Sequence, residues 1–184
     1  MLFPLLVGVL ACCCSCASGG AARETGPHVW LTNSSHYRLL PPGDIEHSMD
    51  TPQLVSASYG SKDYLLNAWV KADETGINMT LINELGANMG ELSYRDGAVS
   101  FSSPVFPESL GGEYIVADFQ LCFYNVPALR QALEDCGLSL ENTEAGRCIL
   151  QGKTVIIEIE KSRNVVRLIN HLRGYTYTLE GDFE

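Results

Sequence analysis

Basic residues are scarce in this chain: 12 Lys and Arg stand against 22 Asp and Glu, for a formal net charge of -10. Phosphate recognition needs a basic footprint, so nucleic acid is excluded as an expected partner. Electrostatic attraction of the whole chain to anionic lipid is not expected either. Long apolar runs are also missing. No stretch reaches the roughly 20 apolar residues that a membrane-crossing helix needs. Catalytic signatures are lacking too, since the sequence has no GxSxG, HExxH or phosphate-loop pattern. His28, His36 and His47 fall in an irregular stretch, and His171 shares a polar strand face with Arg167 and Arg173. None has a partner at a spacing that acid–base work would use, so His171 is read as a surface residue. No CxxC pair has a second pair or a clustered histidine beside it, and Met49, Met79 and Met89 are scattered. No metal site, cofactor or enzymatic activity is expected.

What is present is enough for one domain: 184 residues, of which 46% are apolar. Residues 1–11, MLFPLLVGVLA, form an uncharged apolar run. Its length suits the apolar region of a signal peptide. Small residues and cysteines follow, ACCCSCASGGAA, and then the chain turns polar. Val9-Leu10-Ala11-Cys12 resembles the lipobox of bacterial lipoproteins, whose cysteine is diacylated and becomes the first mature residue. Cys16, preceded by Ser15, is the alternative. No Lys or Arg occurs before Arg23, a departure from the usual basic start of such peptides. The residue after the acylated cysteine is Cys13 or Ala17, not Asp, which by analogy favours the outer membrane. Residues 12–52 are rich in Gly, Ser, Ala, Pro and Asn and are expected to be a tether with an irregular approach, contributing at most one edge segment.

Period-two alternation begins near Gln53. Tyr64, Leu66, Ala68 and Val70 share one face, with Leu65, Asn67, Trp69 and Lys71 on the other. After a turn at residues 73–76, Ile77, Met79 and Leu81 oppose Asn78 and Thr80. Asp96-Gly97 is a strong two-residue hairpin signal. The pattern then changes to helical. Residues 114–124 are apolar nearly all round, interrupted by Asp118 and Gln120, and Pro127 opens a run of good helix formers, ALRQALED. Asp118 is either a buried carboxylate with a perturbed pKa or a solvent-facing one. Strands resume after Gly137, with Val166, Leu168 and Leu172 predicted on one face, then Tyr175, Tyr177 and Leu179. The reading is a mainly β (α+β) fold: about ten antiparallel strands solvated on one side, with a two-helix insert. Residues 53–184 make a single domain.

The succession DYLLNAWVKADETGINMTLINELG, YRDGAVSF, PALRQAL and INHLRGYTYTLE resembles a family of uncharacterised bacterial outer-membrane lipoproteins, often encoded beside aryl-polyene or fatty-acid-like biosynthesis genes. That family is similar to the LolA and LolB lipoprotein carriers. The resemblance covers about residues 53–180 and implies a half-barrel sheet around an apolar cavity, with helices on its concave side. It implies that Leu66, Val70, Ile77, Met79, Leu81, Val155, Ile157, Leu168 and Tyr177 line the cavity. Tyr114, Ile115, Phe119, Phe123 and Leu129 would form the lid. It further implies a lipid, acyl-chain or lipoprotein cargo, at the periplasmic face of the outer membrane. SSPVFPESL, with Val105 and Phe106, is the positional analogue of the apolar loop by which LolB meets the membrane. Against this stands a plainer expectation: an apolar strand face covered by helices is simply a core, and the protein a structural or interaction lipoprotein. Cys136 and Cys148 bracket a short strand and can bridge in an oxidising periplasm, contributing about 3 kcal/mol by chain entropy. Otherwise they and Cys122 stay unpaired.

Overall fold

Alternating apolar residues favour extended chain because a strand can then bury one face and solvate the other. The computed structural model describes residues 26–106 and 111–183. The leader and both candidate anchors, Cys12 and Cys16, lie outside the described residues. A short hairpin comes first, β1 (His28–Trp30) and β2 (His36–Arg38), then a 3₁₀ turn at Pro42–Asp44. Five strands follow: β3 (Met49–Tyr59), β4 (Lys62–Asp73), β5 (Gly76–Ile82), β6 (Asn88–Arg95) and β7 (Ala98–Ser102). Two helices, α1 (Gly112–Phe123) and α2 (Val126–Asp135), precede β8 (Ser139–Asn142), β9 (Gly146–Gln151), β10 (Thr154–Lys161), β11 (Val165–Asn170) and β12 (Tyr175–Gly181).

β3 to β12 form one ten-stranded antiparallel sheet in the order β7-β6-β5-β4-β3-β12-β11-β10-β9-β8. The two halves of the chain meet where β12 pairs with β3, Tyr177 opposite Ala57 and Leu179 opposite Val55. The sheet is not closed, consistent with a curved half-barrel. Because every neighbour is antiparallel, the hairpin turns alternate between its two ends. The β3–β4, β5–β6, β9–β10 and β11–β12 turns share one rim; the β4–β5, β6–β7, β8–β9 and β10–β11 turns share the other. At the β6–β7 turn Asp96 and Gly97 both have positive φ, 52° and 72°, the geometry that matches the twist of a two-residue hairpin.

α1 crosses the inner face of this sheet. It is buried along most of its length, including Val116, Ala117, Phe119, Leu121 and Cys122. Its first residue must be glycine, since a Cβ on Gly112 would stand 2.6 Å from the Cβ of Phe101 on β7. Its far end is held by Arg147, a buried β9 residue that donates to the carbonyls of Tyr124 (2.9 Å) and Leu121 (3.4 Å). A cation at that end also complements the helix dipole. α2 is capped by Asn125, whose side chain accepts from the Ala128 amide, and buries Leu129 and Leu133.

The segment expected to be tether is structured from the start of β1. Val29, Leu31, Tyr37 and Leu39 belong to the main core. Gln120, interior to α1 and fully buried, binds this arm. Its Oε1 accepts from the Tyr37 hydroxyl (3.1 Å) and the Leu40 amide (3.0 Å), and its Nε2 donates to the Leu40 carbonyl (2.7 Å). Replacing Gln120 with Leu keeps the volume and orphans these groups, at about 1–3 kcal/mol for each one left without water. Gln120→Leu is therefore expected to lower the urea midpoint clearly, and Tyr37→Phe by less, with the slope of the transition unchanged in both.

Candidate functional site

The inner face of the sheet is the place where the sequence expectation put a ligand. Leu66, Val70, Ile77, Met79, Phe119, Phe123, Leu129, Ile157 and Leu168 are all buried there. Leu81, Tyr114, Ile115 and Tyr177 are half-buried against the same core. Val155 is a correction. It is 37% exposed, whereas Ile157 is fully buried. A bulge between them shifts the pairing from Val155–Leu150 to Ile157–Ile149 and breaks the alternation. Leu172 is likewise not on the face of Val166 and Leu168: β11 ends at Asn170, and Leu172 is 52% exposed in the turn.

The two ends of the inner face differ. Toward the β4–β5 rim it is sealed. Ala72, Ile77 and Tyr94 are buried side by side, and the Tyr94 hydroxyl donates to the Leu40 carbonyl at 2.9 Å. Toward the β3–β4 rim the cover given by the described residues is thinner. Ala57, Tyr64, Leu81, Phe101, Tyr114 and Tyr177 remain half-buried, and the Phe106 ring leans on Tyr64 at 5.5 Å. Among the described residues this half-buried apolar edge, the mouth, lies where α1 begins. An open depression of about 680 Å³ lies at the other end, between the arm and the β4–β5 and β6–β7 turns. Arg38, Glu74, Arg95 and Asp96 line it, a charged setting unsuited to hydrocarbon.

Beneath α1 runs a polar seam that the sequence disclosed only in part. Asp118 and Cys122 are four residues apart on one face of the helix, and Tyr175 and Tyr177 are two apart on one face of β12. The periodicities put them in register. The Tyr175 hydroxyl donates to Asp118 Oδ2 at 2.7 Å, and the Tyr177 hydroxyl meets Cys122 Sγ at 3.6 Å. Burial pushes the Asp118 carboxyl up to about 7, against the opposing pull of the Tyr175 hydrogen bond and of Arg173. Asp118 is thus the buried alternative of the two that its sequence position allowed. Burial also pushes the Cys122 thiol up to about 12, which leaves it unreactive. Tyr175 and Tyr177 are raised well above the usual phenol range, again by burial. Arg173 stacks over the Tyr114 ring at 4.8 Å and donates to the Trp30 carbonyl. No nucleophile with a neighbouring base is assembled here.

Cys136 and Cys148 are free, the unpaired one of the two alternatives the sequence left open. Cys136 closes α2 on the helical side, its thiol donating to the Leu133 carbonyl at 3.2 Å. Cys148 pairs laterally with Glu141 and Glu158 and alternates with the inward Arg147 and Ile149. It points to the outer face, so the sheet stands between the two sulfurs. His171 is also outside, 3.3 Å from Glu158. Among the described residues there is no group of three or more His, Cys, Asp or Glu able to hold a metal. Nor is any described helix long and apolar enough to cross a membrane.

An open antiparallel half-barrel with a helical layer on its inner face defines the class of this protein. Residues 50–181 match the family described as Protein of unknown function (DUF3261), and the chain belongs to it. The match runs the length of the ten-stranded sheet and leaves the β1–β2 arm outside. No curated protein matches the chain.

The raised Asp118 pKa sets a direction for stability. The folded state holds a proton that the unfolded carboxyl releases near pH 4, so stability falls as pH rises from about 4 to about 7. Asp118→Asn can still accept from Tyr175 and removes the titration. Its melting temperature is expected to change less than the native one between pH 4.5 and 7.5, with the variant relatively the more stable at the higher pH. Parallel curves for the two proteins would contradict this.

Proposed function

We propose that this protein is a non-catalytic lipoprotein of the bacterial outer membrane that binds or transfers a hydrophobic ligand, an acyl chain of a lipid or lipoprotein, at its periplasm-facing side. The observation that carries the reading is the unequal closure of the inner face: sealed at one end, half-covered by Tyr64, Leu81, Phe101, Tyr114 and Tyr177 at the other. An acyl chain entering there would meet apolar surface continuous with the core, and each methylene withdrawn from water contributes about 0.8 kcal/mol. The sequence resemblance to carriers of the LolA and LolB kind supports the same reading. A second reading, an interaction lipoprotein with no ligand, is favoured by the tight burial of Val70, Ile77, Ile157 and Leu168 deeper in. Two tests apply.

The ligand is tested with the full chain made unacylated by cell-free synthesis and titrated with a pyrene-labelled fatty acid. Saturable binding is expected, and Leu81→Trp, which fills the mouth, should weaken it about tenfold. Ala57→Phe provides a second block if Leu81→Trp melts early. Absence of saturable binding to the native chain would remove the ligand and leave the interaction reading.

The anchor is assigned to Cys12, with Cys16 as the alternative. Labelled palmitate fed to cells is expected to mark the native chain and the Cys16→Ser variant but not Cys12→Ser. The reverse pattern would move the anchor, and no label in any of the three would sink it.

A further inference from the structure

Exposed large apolar side chains are concentrated at one rim of the half-barrel. Leu85 stands in the β5–β6 turn at 92% exposure, Tyr59 at the β3–β4 turn at 63% and Leu172 in the β11–β12 turn at 52%. Val105, in the connection from β7 to α1, is 50% exposed, and Val155, beside the β9–β10 turn, 37%. Each of the four hairpin turns at this rim, and the described part of the β7–α1 connection, thus has one exposed apolar side chain in it or beside it. Among the described residues the opposite rim presents no exposed large apolar side chain. One such residue on a surface needs no explanation, but one on each successive turn of a single edge does.

Charge divides the same way. The described connections at the apolar rim carry Lys153 and Arg173 against Glu84. Those at the opposite rim carry Glu74, Asp96 and Glu144 against Arg163. The described connections at the two rims thus carry charge balances of opposite sign, basic at the apolar rim and acidic at the other. Side chains of this kind bury in the boundary between headgroups and acyl chains, where a tyrosine keeps its hydroxyl wet and lysine and arginine meet phosphate. A small basic surplus in the turns of one edge, on a chain that is acidic as a whole, suits a layer of phosphate headgroups.

We infer that the rim formed by the β3–β4, β5–β6, β9–β10 and β11–β12 turns, with Val105 beside them, docks on the surface of a phospholipid bilayer, with the strands standing away from it. Apolar side chains spread along one edge fix the tilt of the domain, which a single point of attachment does not. The inference stands whether or not the inner face takes an acyl chain.

The test uses the full chain on vesicles of phosphatidylethanolamine and phosphatidylglycerol, with part of the lipid brominated in the acyl chain. Leu85→Trp and Leu172→Trp report on the docking rim, and Ala145→Trp on the opposite one, each above the constant signal of Trp30 and Trp69. Bromolipid is expected to quench the added fluorescence of both rim reporters several-fold more than that of Ala145→Trp. Equal quenching of all three, or none at Leu85→Trp and Leu172→Trp, overturns the inference. The double variant Leu85→Ser/Leu172→Ser separates it from ligand binding: its vesicle affinity, measured on unacylated chain, should fall about tenfold while pyrene-fatty-acid binding in solution is unchanged. An unaltered vesicle affinity would also overturn it.

Discussion

A ten-stranded open sheet with one apolar face cannot be soluble until something lies against that face, and α1 is what lies there. The requirement explains a helix that is apolar nearly all round, a composition that would be a liability on a surface. It explains glycine at its first position, where Phe101 leaves no room for a Cβ. It also explains its polar exceptions. Gln120 is fully buried and Asp118 largely so, and each is met by a fixed partner, Leu40 and Tyr37 for one and Tyr175 for the other. Burying them unmet would cost more than their hydrogen bonds return. The result is that α1 is keyed to one depth and one rotation: the arm, β9 and β12 each hold a different point along it.

Much of this architecture was legible in the sequence because strand and helix periods are local signals. The alternation in β4, β5 and β12, the Asp96-Gly97 turn and the helical break near residue 112 needed no partner to be recognised. The failures are the non-local features. A three-residue strand with one buried side chain, such as Val29 in β1 or Tyr37 in β2, has no measurable period, so the arm read as tether. Val155 was misplaced because a bulge changes parity without changing composition. Nothing in the sequence around Arg147 points to its role; its partners lie at the end of α1, a different element, and only register turns it inward. Cys136 and Cys148 were near in sequence, but a sheet separates them.

The candidate site shows the same division. The residues expected around a cavity do gather on the inner face, Val155 excepted, because alternation plus hairpin register places them there. Whether they enclose space or merely pack is a matter of fractions of an ångström, which a residue pattern does not encode. What the structure adds is a gradient. The arm and the 3₁₀ turn cover one end of the inner face, while at the other the cover thins out over Tyr64, Leu81 and Phe101.

That gradient and the apolar rim coincide, and their coincidence constrains the molecule more than either does alone. The mouth opens at the rim where Leu85, Tyr59 and Leu172 protrude, so a domain resting on that rim would face its half-covered surface toward lipid rather than water. Docking there would also cover apolar area that the mouth otherwise exposes, which makes the two features mutually stabilising. The Asp118–Tyr175 pair lies just inside, beneath α1, beside Arg173, which links the first part of the helix through Tyr114 to the β11–β12 turn at the rim. Any movement that widened the mouth would have to lift the start of α1 and strain that contact first, while Arg147 and Gln120 held its far end. The helix is therefore fixed at its C-terminal half and more lightly held at the end that would have to yield.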